Sequence, residues 1–211
     1  MAPLGPTQQQ KLVASDAASG DELGYSVSLS GDTVVAGAMH KSSSQGAAYV
    51  FVRSGTAWTQ QQELLASDGV ANDWFGMSAS LSGETAIVGA IENYGSAPGA
   101  AYIFVRSGTS WTQQQKLTAS DSVANGYFGY SVALSGNVAV VTAENISFSK
   151  GGAVYVFARS GATWTQQQKL LASDGMAGDS FGASLAISGS TAFVGSSSKN
   201  SYQGAAYVFG Q

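Results

Sequence analysis

The chain has 211 residues, 27 of them glycine, with charged residues at only 10%, a formal net charge of -4 and no cysteine. That length buries a sizeable core in one domain or two, and the aromatic content speaks against a disordered acidic tail. The 9 scattered lysines and arginines form no basic stripe for nucleic acid, no run nears the roughly 18 apolar residues of a membrane helix, and without cysteine there is neither a disulfide framework nor a thiolate metal site.

Residues 1–6, "MAPLGP", read as an N-terminal tail with no apolar signal-peptide core. The phrase "TQQQ" then begins at Thr7 and recurs at Thr59, Thr112 and Thr165, at intervals of 52, 53 and 53 residues. Trp58, Trp111 and Trp164 precede the later copies, whereas Pro6 precedes the first. Each copy leads to Ala-Ser-Asp, ending at Asp16, Asp68, Asp121 and Asp174. A glycine follows at Gly24, Gly76, Gly129 or Gly182, preceded by Leu23, Phe75, Phe128 or Phe181. Self-similarity at such a period marks a repeat architecture.

Within a unit the elements come in a fixed order. "FGYSVALSG" alternates small or polar with apolar residues, as a half-buried strand does. "TAIVGA" is a short buried strand, "AAYIFVRSG" alternates again, and "WTQQQKLTAS" is a polar strand with an apolar end. Ser-Gly pairs supply tight hairpins between the first and second strands and between the third and fourth. No stretch carries a helical apolar period. The expectation is an all-β propeller over residues 7–211, with four four-stranded blades and repeat starts near 59, 112 and 165.

The last unit reaches "AAYVFGQ" with three strands, and the missing fourth is the N-terminal "TQQQKLVASD", residues 7–16. Closure follows either in cis, as one chain of four blades, or in trans, as an eight-bladed dimer sharing strands. An open β-solenoid is the alternative. The glutamine-rich fourth strand is expected to face outward at the rim and to keep that edge soluble.

"FGMSASLSGETAIVGA" and "FGYSVALSGNVAVVTA" resemble the FG-GAP repeat of integrin α-type propellers, and the likeness extends over all four units. It implies a propeller, usually extracellular, that serves adhesion or ligand binding. Integrin-type blades often carry a DxDxDG calcium loop, and here that place holds only "SGDT", "SGET", "SGNV" and "SGST". One carboxylate supplies too few oxygens for Ca²⁺, so neither a metal nor a cofactor is expected.

Function is expected where the units differ, because loops on a rigid scaffold carry binding residues. "AMHKSSSQ", "AIENYGSAP", "AENISFSKG" and "SSSKNSYQ" diverge on one face, while the tight turns of the other face hardly differ. The residue before Phe-Gly lies on the same face, as Glu22, Trp74, Tyr127 and Ser180. Trp74 and Tyr127 are expected to be exposed there, with Asp73 and Asn93 beside Trp74, an arrangement suited to stacking on a sugar ring. His40, Tyr94, Glu144, Asn145, Asn200 and Tyr202 complete the candidate ligand-binding set. Arg53, Arg106 and Arg159 are expected to pair at turns or between blades, the tryptophans to anchor packing, and the Ala-Ser-Asp aspartates to fix the inter-blade loops.

The reading is a non-catalytic binding or adhesion module, secreted or at the cell surface, with an extracellular glycan or protein ligand. It expects no nucleic-acid partner, no membrane insertion and a possible homodimer through strand sharing. A structural, self-assembling repeat is the alternative. A polysaccharide-active enzyme is a second alternative: the FG-GAP resemblance extends to propellers of polysaccharide-degrading enzymes, and Glu92 and Glu144, on neighbouring loops, are its one candidate pair of acids.

Overall fold

The computed structural model describes residues 7–91, 97–144 and 151–210. Strands β1 (Val27–Ser30), β2 (Thr33–Ala38), β3 (Ala47–Ser54) and β4 (Ala57–Leu64) form the first antiparallel sheet. Strands β5 (Ser78–Ser82), β6 (Thr85–Ala90), β7 (Ala100–Ser107) and β8 (Ser110–Leu117) form the second. The third holds β9 (Phe128–Ser135), β10 (Val138–Ala143), β11 (Ala153–Ser160) and β12 (Thr163–Leu170). The fourth has three strands, β13 (Phe181–Ser188), β14 (Thr191–Ser196) and β15 (Ala205–Phe209). These are four blades of a β-propeller-like fold, with two short helical turns, α1 (Lys41–Ser44) and α2 (Lys199–Tyr202), inside loops.

Each hairpin leaves two residues between paired ends, as in Ser30↔Thr33 and Ser54↔Ala57. Gly31 and Gly55, at φ 58° and 62°, occupy the first central position, where a primed turn requires the left-handed conformation.

The core lies between blades. Val35, Val50 and Leu64 of blade 1 pack with Leu81, Val88 and Tyr102 of blade 2. Ile87, Ile103 and Leu117 of blade 2 meet Val132, Leu134 and Val141 of blade 3. Val140 and Val154 of blade 3 meet Phe181 and Val194 of blade 4. The innermost strands β1, β5, β9 and β13 neighbour one another in that order, and serine hydroxyls join them. Leu81 N donates to Ser28 Oγ at 2.9 Å, and Leu134 N to Ser80 Oγ at 3.0 Å.

The glutamines do something other than dress the rim. Gln62 Nε2 donates to the Trp111 carbonyl at 2.7 Å while Trp111 N donates to Gln62 Oε1 at 2.7 Å. Gln115 grips Trp164 in the same two-bond manner, both at 2.8 Å. Gln60 Oε1 and Gln113 Oε1 reach the other way, accepting from Ser15 N and Ser67 N at 2.8 and 2.9 Å. The fourth strands are thus clipped to their neighbours on both sides, which corrects the expectation of a merely solvated edge.

Residues 7–14 make these clips without belonging to a sheet. Gln10 holds Trp58 through two bonds of 2.8 Å, and Leu12 and Ala14 pack with Tyr49, Phe51 and Trp58 of blade 1. The segment therefore stands beside blade 1 as β4 stands beside blade 2. Among the described residues β15 pairs only with β14. Closure of a ring is not seen.

Candidate functional site

Four recurring aspartates tie the loops between blades. Each accepts a tyrosine hydroxyl from its own blade: Tyr49 to Asp16, Tyr102 to Asp68, Tyr155 to Asp121 and Tyr207 to Asp174, at 2.7 to 2.9 Å. A lysine joins each aspartate. Lys116 meets Asp68 at 2.8 Å and Lys169 meets Asp121. In unit one Glu63 takes the place of that lysine, and Lys41 from α1 reaches Asp16 at 2.7 Å instead. Lys199 of α2 serves Asp174 at 3.3 Å and the buried Asp179 at 2.9 Å.

Hydrogen bonds from Lys41, Lys116 and Lys169 hold Asp16, Asp68 and Asp121 below the usual aspartate value of 3.8, and the Tyr207 hydroxyl does so for Asp174. Burial drives the Tyr155 hydroxyl up. Folded-state values below the unfolded value stabilise the fold above that value and cease to do so as protons return. Urea midpoints are therefore expected to be level above about pH 5 and to fall steadily below about pH 4. A midpoint unchanged down to pH 3 would show these carboxylates to be unlinked to folding.

The arginines are turn and inter-blade groups, as their spacing predicts. Arg106 donates to its own turn at the Gly108 carbonyl (2.8 Å) and to Thr33 Oγ1 of blade 1 (3.2 Å). Arg159 repeats this with Gly161 and with Thr85 of blade 2, at 2.9 and 3.3 Å. Arg53 turns to Asp32. Trp111 and Trp164 are buried and Trp58 half-buried, in keeping with packing anchors.

On the loop face, Glu22, Trp74, Tyr127 and Ser180 share a left-handed backbone at φ 57°, 55°, 53° and 54°. Bulky side chains rarely adopt it. Its presence in all four units assigns it to the Phe-Gly turn itself. Trp74 and Tyr127 prove half-buried, where exposure was expected. The imidazole of His40 packs edge-on against Trp74, with ring centroids 5.5 Å apart and planes at 74°. Its Nε2 lies 3.7 Å from Glu22 Oε2 and its Nδ1 3.0 Å from Ser44 Oγ. Asp73 is buried, and its carboxylate accepts the Val70 N–H at 2.7 Å, closing a tight turn.

The structure thus brings His40, Trp74 and Glu22 together across blades 1 and 2. Asn200 and Tyr202 sit apart on α2, Tyr202 at 83% exposure. Glu144 is half-buried near the Tyr130 hydroxyl, whose pKa burial and then Glu144 raise. Asn93, Tyr94 and Asn145 lie outside the described residues, as does Glu92, so the Glu92–Glu144 pair has no described geometry. Among the described residues no three carboxylate or imidazole groups converge as a metal site, and no helix is long and apolar enough to cross a membrane.

The FG-GAP repeat matches this chain four times, over residues 6–51, 58–104, 111–157 and 164–209. The chain belongs to the FG-GAP repeat family. No curated protein matches it. Among solved structures, Saccharomyces cerevisiae Sqt1 is similar at 9% identity and a TM-score of 0.48, over 75% of this chain and 38% of the Sqt1 chain. The FG-GAP chain therefore spans well under half of that protein's length. FG-GAP repeats make it a propeller-type binding or structural module.

The family's signature has a physical reason here. A Cβ on Gly37 of the FG-GAP "Gly-Ala" end would lie 1.9 Å from the carbonyl oxygen of Gly76 in the next unit's Phe-Gly turn. Gly46 and Gly99 form parallel bridges with Phe75 and Phe128. The sequence reading missed Glu22 and Ser44 as partners of His40. Their closeness arises from the apposition of turns in space, and neither motif nor spacing carries a signal for it.

Proposed function

We propose that this FG-GAP module is a non-catalytic binder of extracellular glycans, working at the loop face around Trp74, His40 and Glu22. The observation that carries the reading is the His40–Trp74 pair, which fixes a half-exposed indole next to a carboxylate and an imidazole. An aromatic face of that kind stacks on the C–H side of a sugar ring, and the polar groups address its hydroxyls. Tyr127 repeats the position in the next unit with the same backbone geometry, which offers a second subsite along one chain. A glycan binder of this type belongs outside the cell, secreted or on its surface.

A glycan array probed with the whole chain is expected to give a defined set of ligands. Trp74→Ala is expected to weaken their binding by at least about tenfold, or roughly 1.4 kcal/mol, with Tyr127→Ala showing a smaller loss. An array without signal, or binding indifferent to Trp74→Ala, leaves the second reading, a purely structural repeat. That reading draws on the apolar faces left bare at the two ends of the blade series.

A further inference from the structure

Every contact that joins one blade to the next leaves a matching half at each end of the series. Residues 7–14 are a fourth strand without a blade: Gln10 clips Trp58 as Gln62 clips Trp111. Among the described residues blade 4 has three strands, and β15 has a free edge. A groove of about 430 Å³ opens between blades 3 and 4 and reaches β15, lined by Val156, Gln168, Leu170, Val208 and Phe209 among others. The equivalents of Val156 in blades 1 and 2, Val50 and Ile103, are fully buried.

The bare faces are the same two surfaces that are buried inside the series. Val27 and Leu29 of blade 1 are 68% and 63% exposed, whereas Val132, Leu81 and Leu134 at the same positions are covered by the preceding blade. Phe193 and Val208 of blade 4 are 52% and 59% exposed, whereas Val35, Ile87 and Val140, which match Phe193, are covered by the following blade. Arg106 and Arg159 each bond a threonine of the preceding blade, while Arg53 has no such blade and bonds Asp32. The chain's own first blade does not meet its fourth, since the apolar residues of both remain open.

We infer that blade 4 receives residues 7–14 and the blade 1 face of a second copy of this chain. The β3–β4 register, with Val50 opposite Gln62 and Phe51 opposite Gln60, sets Val208 opposite Gln10 and Phe209 opposite Gln8 of the incoming copy. Gln8 then takes the Ser173 N–H, as Gln60 takes that of Ser15. Lys11 reaches Asp174, as Lys116 reaches Asp68. Arg53 exchanges Asp32 for Thr191. Two copies engaging reciprocally in this head-to-tail manner leave no strand edge open.

The test is independent of glycan binding. Light scattering of the whole chain is expected to give twice 21.4 kDa, and Val208→Lys, which charges the acceptor face, is expected to return it to the single-chain mass while still unfolding cooperatively. The chain has no cysteine, so Gln10→Cys chains mixed with Val208→Cys chains are expected to form a disulfide-linked pair on oxidation. A single-chain mass for the unaltered protein overturns the inference, the more so if the double cysteine variant links within one chain. A doubled mass without the mixed disulfide overturns it as well, since another surface then holds the copies together.

Discussion

Gly89→Ala is expected to destabilise the chain by about 3 kcal/mol, a cost at the upper end for inserting one methyl group into a packed site. Gly89 lies in β6, where a strand ordinarily gains from replacing glycine, because alanine has less unfolded-state entropy to lose. Close approach opposes this gain. The added Cβ would lie 2.0 Å from the Gly129 carbonyl oxygen and 2.3 Å from Ser78 Oγ, whose hydroxyl already donates to that carbonyl at 2.8 Å. Backbone stands on one side and a hydrogen-bonded hydroxyl on the other, so neither yields cheaply. Gly83→Ala is the control: its φ of 56° strains an alanine, but open space surrounds it, and about 1 kcal/mol is expected. Thermal unfolding of both variants decides the matter, at roughly 2–4 °C per kcal/mol for a chain of this size. Equal losses would mean that the blades do not approach as closely as described.

Phe128→Ala is expected to cost about 4 kcal/mol, within the range for deleting a buried aromatic ring. The ring of Phe128 is fully buried and meets Tyr155 and Phe157 edge-on, with centroids 5.5 and 6.1 Å away. Its backbone is tied to the preceding unit, donating to the Pro98 carbonyl at 2.8 Å and bridging Gly99. Removing the ring loosens both the inside of blade 3 and its seat on blade 2. Unit one carries Leu23 at this position, partly buried against Tyr49 and Phe51, so Phe128→Leu should retain most of the stability. A denaturant series showing less than about 1 kcal/mol for Phe128→Ala would place the ring outside the structural core.

The hairpins and the Phe-Gly turns were legible because glycine recurs there in every unit and adopts the left-handed backbone at the least cost. The arginines and tryptophans were legible because identical residues at identical positions favour packing over recognition. The glutamines were not. Strict alternation would place Gln60 and Gln62 on one face, but the ladder skips Gln61 between Val50 and Phe51, so they point to opposite neighbours. The skipped residue takes a bond of its own, accepting from Trp111 Nε1 at 3.0 Å. No periodicity argument sees a bulge. The loop face was only half legible: the variable side chains were placed there, but the left-handed backbone at Glu22, Trp74, Tyr127 and Ser180 cannot be read from residues that seldom adopt it. Asp73 was read as a ligand-facing carboxylate, and a hydrogen bond spanning three residues turns it inward. Thr142 stands where other units have glycine, and its hydroxyl takes the Ser131 N–H at 3.0 Å, an accommodation that a departure from the repeat pattern does not disclose.

The glutamine clip addresses only the peptide N–H and carbonyl of the residue it holds, atoms that every amino acid but proline presents alike. At the clip itself one unit holds the next by backbone alone, while the neighbouring glutamine reads the indole: Gln61 and Gln114 accept from Trp111 and Trp164 Nε1. A gene that duplicates, deletes or reorders such units keeps every clip intact, and the loops on the opposite face can diverge while the joint between units stays universal. The fold behaves like a set of interchangeable staves, in which the fastening is common property and only the outward inscription differs.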